Sequence, residues 1–272
     1  MFQFLFFDLD DTLLDFHRAE AIAVSKAFRD MGVTPTPERI RQYSAVNKRH
    51  WQMLEQGLLT REQVLVQRFA CLFQELDIPA DPVACQAAYE EYLCVGHYFI
   101  EGAEALLAAL APKYRLYLAS NGTARVQESR LKSAGIGPYF EQVFISQNLG
   151  ANKPSPAFFQ RCFARIPDFD PKKALMIGDS LTSDIRGANG AGIAACWFNP
   201  RREPPLPGIS MEYEIHSLPQ LLEFLLKSSL RFPTSSKKCF SFSTISGIIS
   251  QSDSASGFSG KRIRLNYAVH ST

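Results

Sequence analysis

The sequence predicts an α/β fold: a doubly wound parallel sheet with an all-helical segment inserted after its first strand. Three observations carry that prediction. Short apolar runs at residues 2–7, 116–119, 143–146, 174–177 and 194–198 are hydrophobic on both faces, as strands are when helices cover both sides of a sheet. The last four of these runs are linked by helical stretches, the strand-helix-strand signature of parallel pairing. Between residues 16 and 100 no strand candidate occurs.

Taken in order, the first run ends at the acids of Asp8 and Asp10. Helices then follow at 18–31, closed by Gly32, and at 38–56, ending at Gly57. The helix at 60–76 carries Leu65, Phe69, Leu72 and Leu76 on one face, with Thr60 and Gln63 spaced as a capping box. The helix at 81–95 opens on Asp81-Pro82, a cap followed by Pro in the first turn. Four helices without a strand predict a small separate domain over residues 16–100, a cap over the active site whose two connections act as hinges. Further helices are expected at 103–111, stopped by Pro112, at 124–134, stopped by Gly135, at 156–166 and at 218–227. The sheet domain therefore covers 1–15 and 101–227. Residues 228–272 hold thirteen serines and no helical period, which predicts a disordered tail.

The formal net charge of the 272-residue chain is +2, but its distribution is uneven. The tail carries Arg231, Lys237, Lys238, Lys261, Arg262 and Arg264 against Asp253 alone, so the rest is mildly acidic. That argues against nucleic acid as the main partner. No apolar run is long enough to span a membrane, and the apolar N-terminus lacks the basic region of a signal peptide. The six cysteines form no metal-spaced pair and read as small hydrophobes of a reduced, cytoplasmic protein.

The chemistry concentrates at predicted strand ends, where open α/β sheets bind ligands. Asp8 and Asp10, with Thr12, follow the first strand. Two carboxylates there suit Mg²⁺, which takes few protein oxygens and keeps water and phosphate as its other ligands. Asp8 is then a candidate nucleophile toward phosphorus, with Asp10 as its proton-transfer partner. Ser120-Asn121-Gly122 follows the second strand and offers a hydroxyl and a helix N-terminus for an anion. Lys153, before a further helix, supplies a cation for phosphoryl oxygens. Gly178-Asp179-Ser180, with Asp184 beyond it, provides more carboxylates for the metal.

Asp8-x-Asp10-x-Thr12, Ser120-Asn121-Gly122, Lys153-Pro154 and Gly178-Asp179 with Asp184 resemble the four motifs of the haloacid-dehalogenase (HAD) superfamily, over about residues 1–227. The resemblance implies a Rossmann-like core, a helical cap after the first motif, and Mg²⁺-dependent hydrolysis of phosphomonoesters through an aspartyl-phosphate. By that carry-over Asp8 is nucleophile and metal ligand, and Asp10 is general acid and base with its backbone carbonyl on the metal. Thr12, Ser120, Asn121 and Lys153 hold the phosphate, Asp179 completes the metal site, and Asp184 supports it from behind. The segment Tyr43 to Trp51, Gly57, Gln67 to Phe69 and Ala195 to Asn199 are similar to bacterial pyrimidine 5′-nucleotidases that act on deoxyuridine, uridine and thymidine monophosphates. A pyrimidine ring needs an aromatic face and amide or guanidinium donors, for which Trp51, Asn47, Arg68 and Tyr43 are candidates by type. The expected partner is thus a small phosphomonoester. A sugar-phosphate or phosphoglycolate phosphatase is the alternative, a carbon–halogen hydrolase is disfavoured by Asp10 and Asp179, and a non-catalytic binding module is a further reading.

Overall fold

The computed structural model describes residues 1–228, so the expectation of a disordered tail falls, Ser228 apart, outside the described residues. The chain runs β1 (Phe4–Phe7), α1 (Phe16–Asp30), α2 (Pro37–Glu55), α3 (Arg61–Glu75), α4 (Pro82–Cys94) and α5 (Ala103–Leu110). It continues through β2 (Arg115–Ser120), α6 (Ala124–Ala134), β3 (Gln142–Ile145), α7 (Ser146–Leu149), α8 (Pro156–Phe163) and β4 (Ala174–Gly178). A turn of π-helix at Leu181–Ile185 leads into α9 (Arg186–Ala191), β5 (Ala194–Phe198), β6 (Tyr213–Ile215) and α10 (Leu218–Ser228).

All strand pairings are parallel, in the order β3-β2-β1-β4-β5-β6. This is the doubly wound sheet that the two-faced apolar runs predict. Because side chains alternate along a strand, β1 feeds two cores. Leu5 and Phe7 pack with Leu106 and Leu107 of α5 and Leu221 of α10, whereas Phe4 and Phe6 pack with Phe158 and Phe159 of α8. Each such side chain, fully buried, contributes roughly 1.5–3 kcal/mol to folding. The sixth strand, β6, was not expected. It has three residues, too few for an alternating pattern to register.

Helices α1 to α4 surround an apolar core of their own, built on Phe28, Tyr43, Phe69, Leu72 and Tyr89 and closed by Val126 from α6. Their starts follow the local sequence. Asp15 caps α1, Thr60 and Gln63 form the expected capping box on α3, and Asp81 caps α4 ahead of Pro82. Among the described residues no helix is long and apolar enough to cross a membrane.

β1 lies between β2 and β4, so the connection leaving β1 runs toward β2 while the one leaving β4 runs to the other side, toward β5. The carboxyl ends of β1 and β4 border the resulting crevice, the place where doubly wound sheets hold ligands. Asp8 and Asp179 are the residues that follow those two strands.

Candidate active site

Asp8 leaves β1 with its N–H donated to the Ile177 carbonyl of β4 at 2.9 Å, which fixes the start of the loop. The chain then turns through Asp11, which takes a left-handed conformation (φ 56°) that Asp tolerates better than most residues. Carboxylate oxygens of Asp8, Asp179 and Asp184 lie within 4.8 Å of one another. Lys153 Nζ sits against this cluster, donating to Asp8 Oδ1 at 2.7 Å, to Asp184 Oδ1 at 2.6 Å and to the Ala119 carbonyl at 2.5 Å. Asn121 clamps the main chain of Lys153 from both sides, with Nδ2 donating to its carbonyl and Oδ1 accepting its N–H, each at 2.9 Å. Gly178 has no room for a side chain, since a Cβ there would overlap the Asp184 carboxylate.

Burial dominates the electrostatics. It pushes the Asp8 carboxyl up to about 8 against the pull of the Lys153 ammonium, and Asp184 and Asp10 add to the rise. Burial also holds Asp179 well above the usual carboxylate range, reinforced by Asp8 and Asp184. For Lys153 burial acts downward, but the charges of Asp184 and Asp8 outweigh it and the ammonium is held above its ordinary value. With all three acids ionised, one ammonium would leave negative charge uncompensated. A hard divalent cation with oxygen ligands, such as Mg²⁺, fits that donor set.

A cavity of about 200 Å³ opens over this cluster, between the strand ends and the inserted helices. Asp8, Asp10, Ser120, Asn121, Lys153, Asp179 and Asp184 line it from the sheet, and Trp51 and Arg68 from the helices. The other expected residues stand behind it. Thr12 is fully buried, and its hydroxyl accepts the Asp179 N–H at 3.1 Å. Tyr43 stacks on Phe69 in the helical core, with ring centroids 4.9 Å apart. Asn47 is buried, donating to Glu20 at 2.6 Å and accepting from Arg68 at 2.7 Å. Asp10 does not point its carboxylate into the three-acid cluster. Its Oδ2 accepts from Gln127 Nε2 at 2.6 Å and its Oδ1 pairs with Arg130.

Sequence reasoning missed Gln127 and Arg130 on α6, Arg61 at the start of α3, and Gln86 and Glu90 on α4. Arg61 reaches the sheet, donating to the Asn121 carbonyl at 2.7 Å, Ser146 Oγ at 2.6 Å and Asn152 Oδ1 at 2.8 Å. Arg68 donates to Gln86 Oε1 at 2.6 Å, and Gln86 and Glu90 line the cavity beside it. None of these residues carries a local motif. Arg130 and Gln127 do share a helix face, three residues apart, immediately after Ser120-Asn121-Gly122.

The chain is similar to several known proteins. The chain is 39% identical over 221 residues to the HAD-hydrolase YfnB of Bacillus subtilis, covering 81% of this chain and 94% of that one. A crystal structure of YfnB bound to magnesium superposes with a TM-score of 0.79, covering 82% of this chain and 98% of that one at 38% identity. The pyrimidine 5′-nucleotidase PynA of Streptococcus pneumoniae is 37% identical over 230 residues, covering 84% of this chain and 97% of PynA. The pyrimidine 5′-nucleotidase YjjG of Escherichia coli is 30% identical, covering 82% and 97%. The family model for haloacid dehalogenase-like hydrolases matches residues 3–192, so this α/β protein with its acids at the ends of β1 and β4 belongs to the haloacid dehalogenase-like hydrolases.

Proposed function

We propose that the protein is a Mg²⁺-dependent phosphomonoester hydrolase for pyrimidine nucleoside monophosphates, with deoxyuridine, uridine and thymidine monophosphates as substrates. The observation that carries the reading is the meeting of Asp8, Asp179 and Asp184 beside the Lys153 ammonium on the floor of one cavity. The relatives PynA and YjjG, both named pyrimidine 5′-nucleotidases, support the choice of substrate class.

In this reading Asp8 attacks phosphorus. A bond forms between its Oδ and phosphorus as the ester P–O bond breaks, and Asp10 gives a proton to the departing sugar oxygen. In the second half Asp10 takes a proton from water, whose oxygen bonds to phosphorus while the bond to Asp8 breaks, releasing inorganic phosphate. Ser120 and Lys153 hold the phosphoryl oxygens, whose charge grows in a loose transition state. Asn121 and Thr12 hold Lys153 and Asp179 in place. Asp8 and Asp179, with the Asp10 backbone carbonyl, would hold Mg²⁺, and Asp184 is within reach. When bound, the cation offsets repulsion between the anionic nucleophile and the phosphate. Helices α1 to α4 act as the cap, excluding water and presenting Trp51 and Arg68 to the base.

A substrate panel tests the reading. With Mg²⁺ the protein should hydrolyse dUMP, UMP and dTMP at kcat/KM well above that for sugar phosphates and phosphoglycolate, and EDTA should abolish the activity. Preference for a sugar phosphate would move the assignment to that class. Full activity in EDTA, or release of halide from a 2-haloacid, would remove it.

A further inference from the structure

We propose that Arg130, acting with Gln127, is a positioning residue for the Asp10 carboxylate, and that it ties this carboxylate to the segment where the inserted helices rejoin the sheet. The proposal rests on the reading of Asp10 as the acid that protonates the leaving oxygen. Arg130 is fully buried on α6. Its Nη1 pairs with Asp10 Oδ1 and donates to Gln127 Oε1 at 3.0 Å, and its Nε donates to the Gly96 carbonyl at 2.7 Å. Gln127 Nε2 in turn donates to Asp10 Oδ2 at 2.6 Å and to Ser120 Oγ at 2.7 Å. The side-chain hydrogen bonds of this guanidinium therefore all end on Asp10, its partner Gln127, and one main-chain carbonyl.

Two donors, one on each carboxylate oxygen, fix the plane of the Asp10 carboxylate rather than only its distance. Each oxygen keeps a further lone-pair site, and Asp10 still lines the cavity. Proton transfer to the leaving oxygen depends on that orientation. The other end of the fork grips the crossing between the two parts of the chain. Gly96 lies in the return from α4 to α5, and Phe16, whose ring centroid is 5.8 Å from the guanidinium carbon, opens α1. Gly96 can lie there because it has no side chain, as a Cβ would come within 3.0 Å of the Ala19 Cβ on α1. Gly122 plays the same part for Gln127, whose amide would overlap a Cβ at that position. Asp10 is thus aimed only when the return segment and α6 are both seated.

The test separates aiming an acid from merely holding the fold. An acidic phenol leaves phosphorus without a proton, whereas an alkyl alcohol needs one. The kcat/KM of Arg130→Lys, which keeps a charge but loses the fork, is measured with p-nitrophenyl phosphate and with dUMP, alongside Asp10→Asn. Arg130→Lys should lose about 10²-fold more on dUMP than on the nitrophenyl ester, the range expected for general acid catalysis. In the Asp10→Asn background it should cost no more than a fewfold further. A parallel fall on both esters, or losses that multiply in the double variant, would overturn the proposal. If Arg130→Lys fails to fold by circular dichroism, Gln127→Ala carries the same comparison. A wild-type protein inert toward both esters would overturn the phosphatase reading and this proposal with it, whereas an active wild type with a uniform variant effect would overturn the proposal alone.

Discussion

Lys153 is an ammonium with 1% of its side chain exposed, a placement that only partners make tolerable. Asp8 and Asp184 are those partners, at 2.7 and 2.6 Å. Lys153→Met should therefore do two things. It removes the cation proposed for the phosphoryl oxygens, which should abolish measurable turnover, and it strands two buried carboxylates at a cost of about 3–5 kcal/mol. A thermal melt in EDTA reads the second effect as a large drop in Tm, and added Mg²⁺ should restore part of it by neutralising the same acids. At this scale the sequence was informative wherever a residue stands at a strand end, because position and chemistry then coincide. Asp8, Ser120 and Asp179 were visible for that reason, and Lys153 for its place just before α8. Thr12 and Asn121 were recognised as polar members of the motifs, but their hydrogen bonds go to the Asp179 N–H and the Lys153 main chain. Arg130 was hidden because its partner Asp10 lies 120 residues away, and no local pattern marks such a pair.

Between elements, a few polar contacts join the inserted helices to the sheet side, beside the apolar packing of Val126 in their core. Arg61 at the start of α3 makes three hydrogen bonds to the sheet side, and Thr182 in the π-helical turn donates to Glu55 Oε2 of α2 at 2.8 Å. Removing hydrogen bonds from a charged donor costs about 1.5–3 kcal/mol, or tenfold and more in an equilibrium. Arg61→Ala should thus raise KM for a nucleoside monophosphate about tenfold, with a smaller effect on kcat, because the helices settle less often over the bound substrate. An unchanged KM would show that these contacts do not hold the site closed. Within the insertion, Glu20 accepts from Ser44 and Asn47, and burial raises its pKa above 4.5 despite both donors. A carboxyl whose folded pKa is raised favours the fold while protonated, and that contribution is lost as pH rises through the folded value. Wild-type stability should therefore fall relative to Glu20→Gln as pH climbs from 4.5 toward neutrality, and a Tm series against pH checks the sign. The four helices were legible from the glycines that close the first two, the capping box and apolar face of the third, and the Asp81-Pro82 start of the fourth. Their polar interior was not, because Glu20 and Gln86 look like ordinary surface residues, and Asn47 and Arg68 were read as contacts to a base, until α1 to α4 pack together.

For the whole molecule, one topological fact organises the chemistry. The strand order places β1 beside β4, so residues 8 and 179, far apart in sequence, become neighbours at the crevice. Two-faced apolar strands made the fold class, a parallel sheet covered by helices, readable from hydrophobicity, whereas the strand order itself is seen only in the structure. Of the inserted side chains named by residue type, Trp51 and Arg68 line the cavity, whereas Asn47 and Tyr43 do not, because which of them reach it depends on how α2 to α4 dock over the strand ends.

If Asp8 is the nucleophile, its carboxylate bonds to phosphorus during turnover. Rapid acid quench of the enzyme with [³²P]dUMP and Mg²⁺ tests it most directly. The prediction is hydroxylamine-labile label on the peptide that contains Asp8, and loss of both label and turnover in a folded Asp8→Asn variant. An Asp8→Asn protein that still releases phosphate at the wild-type rate would contradict it.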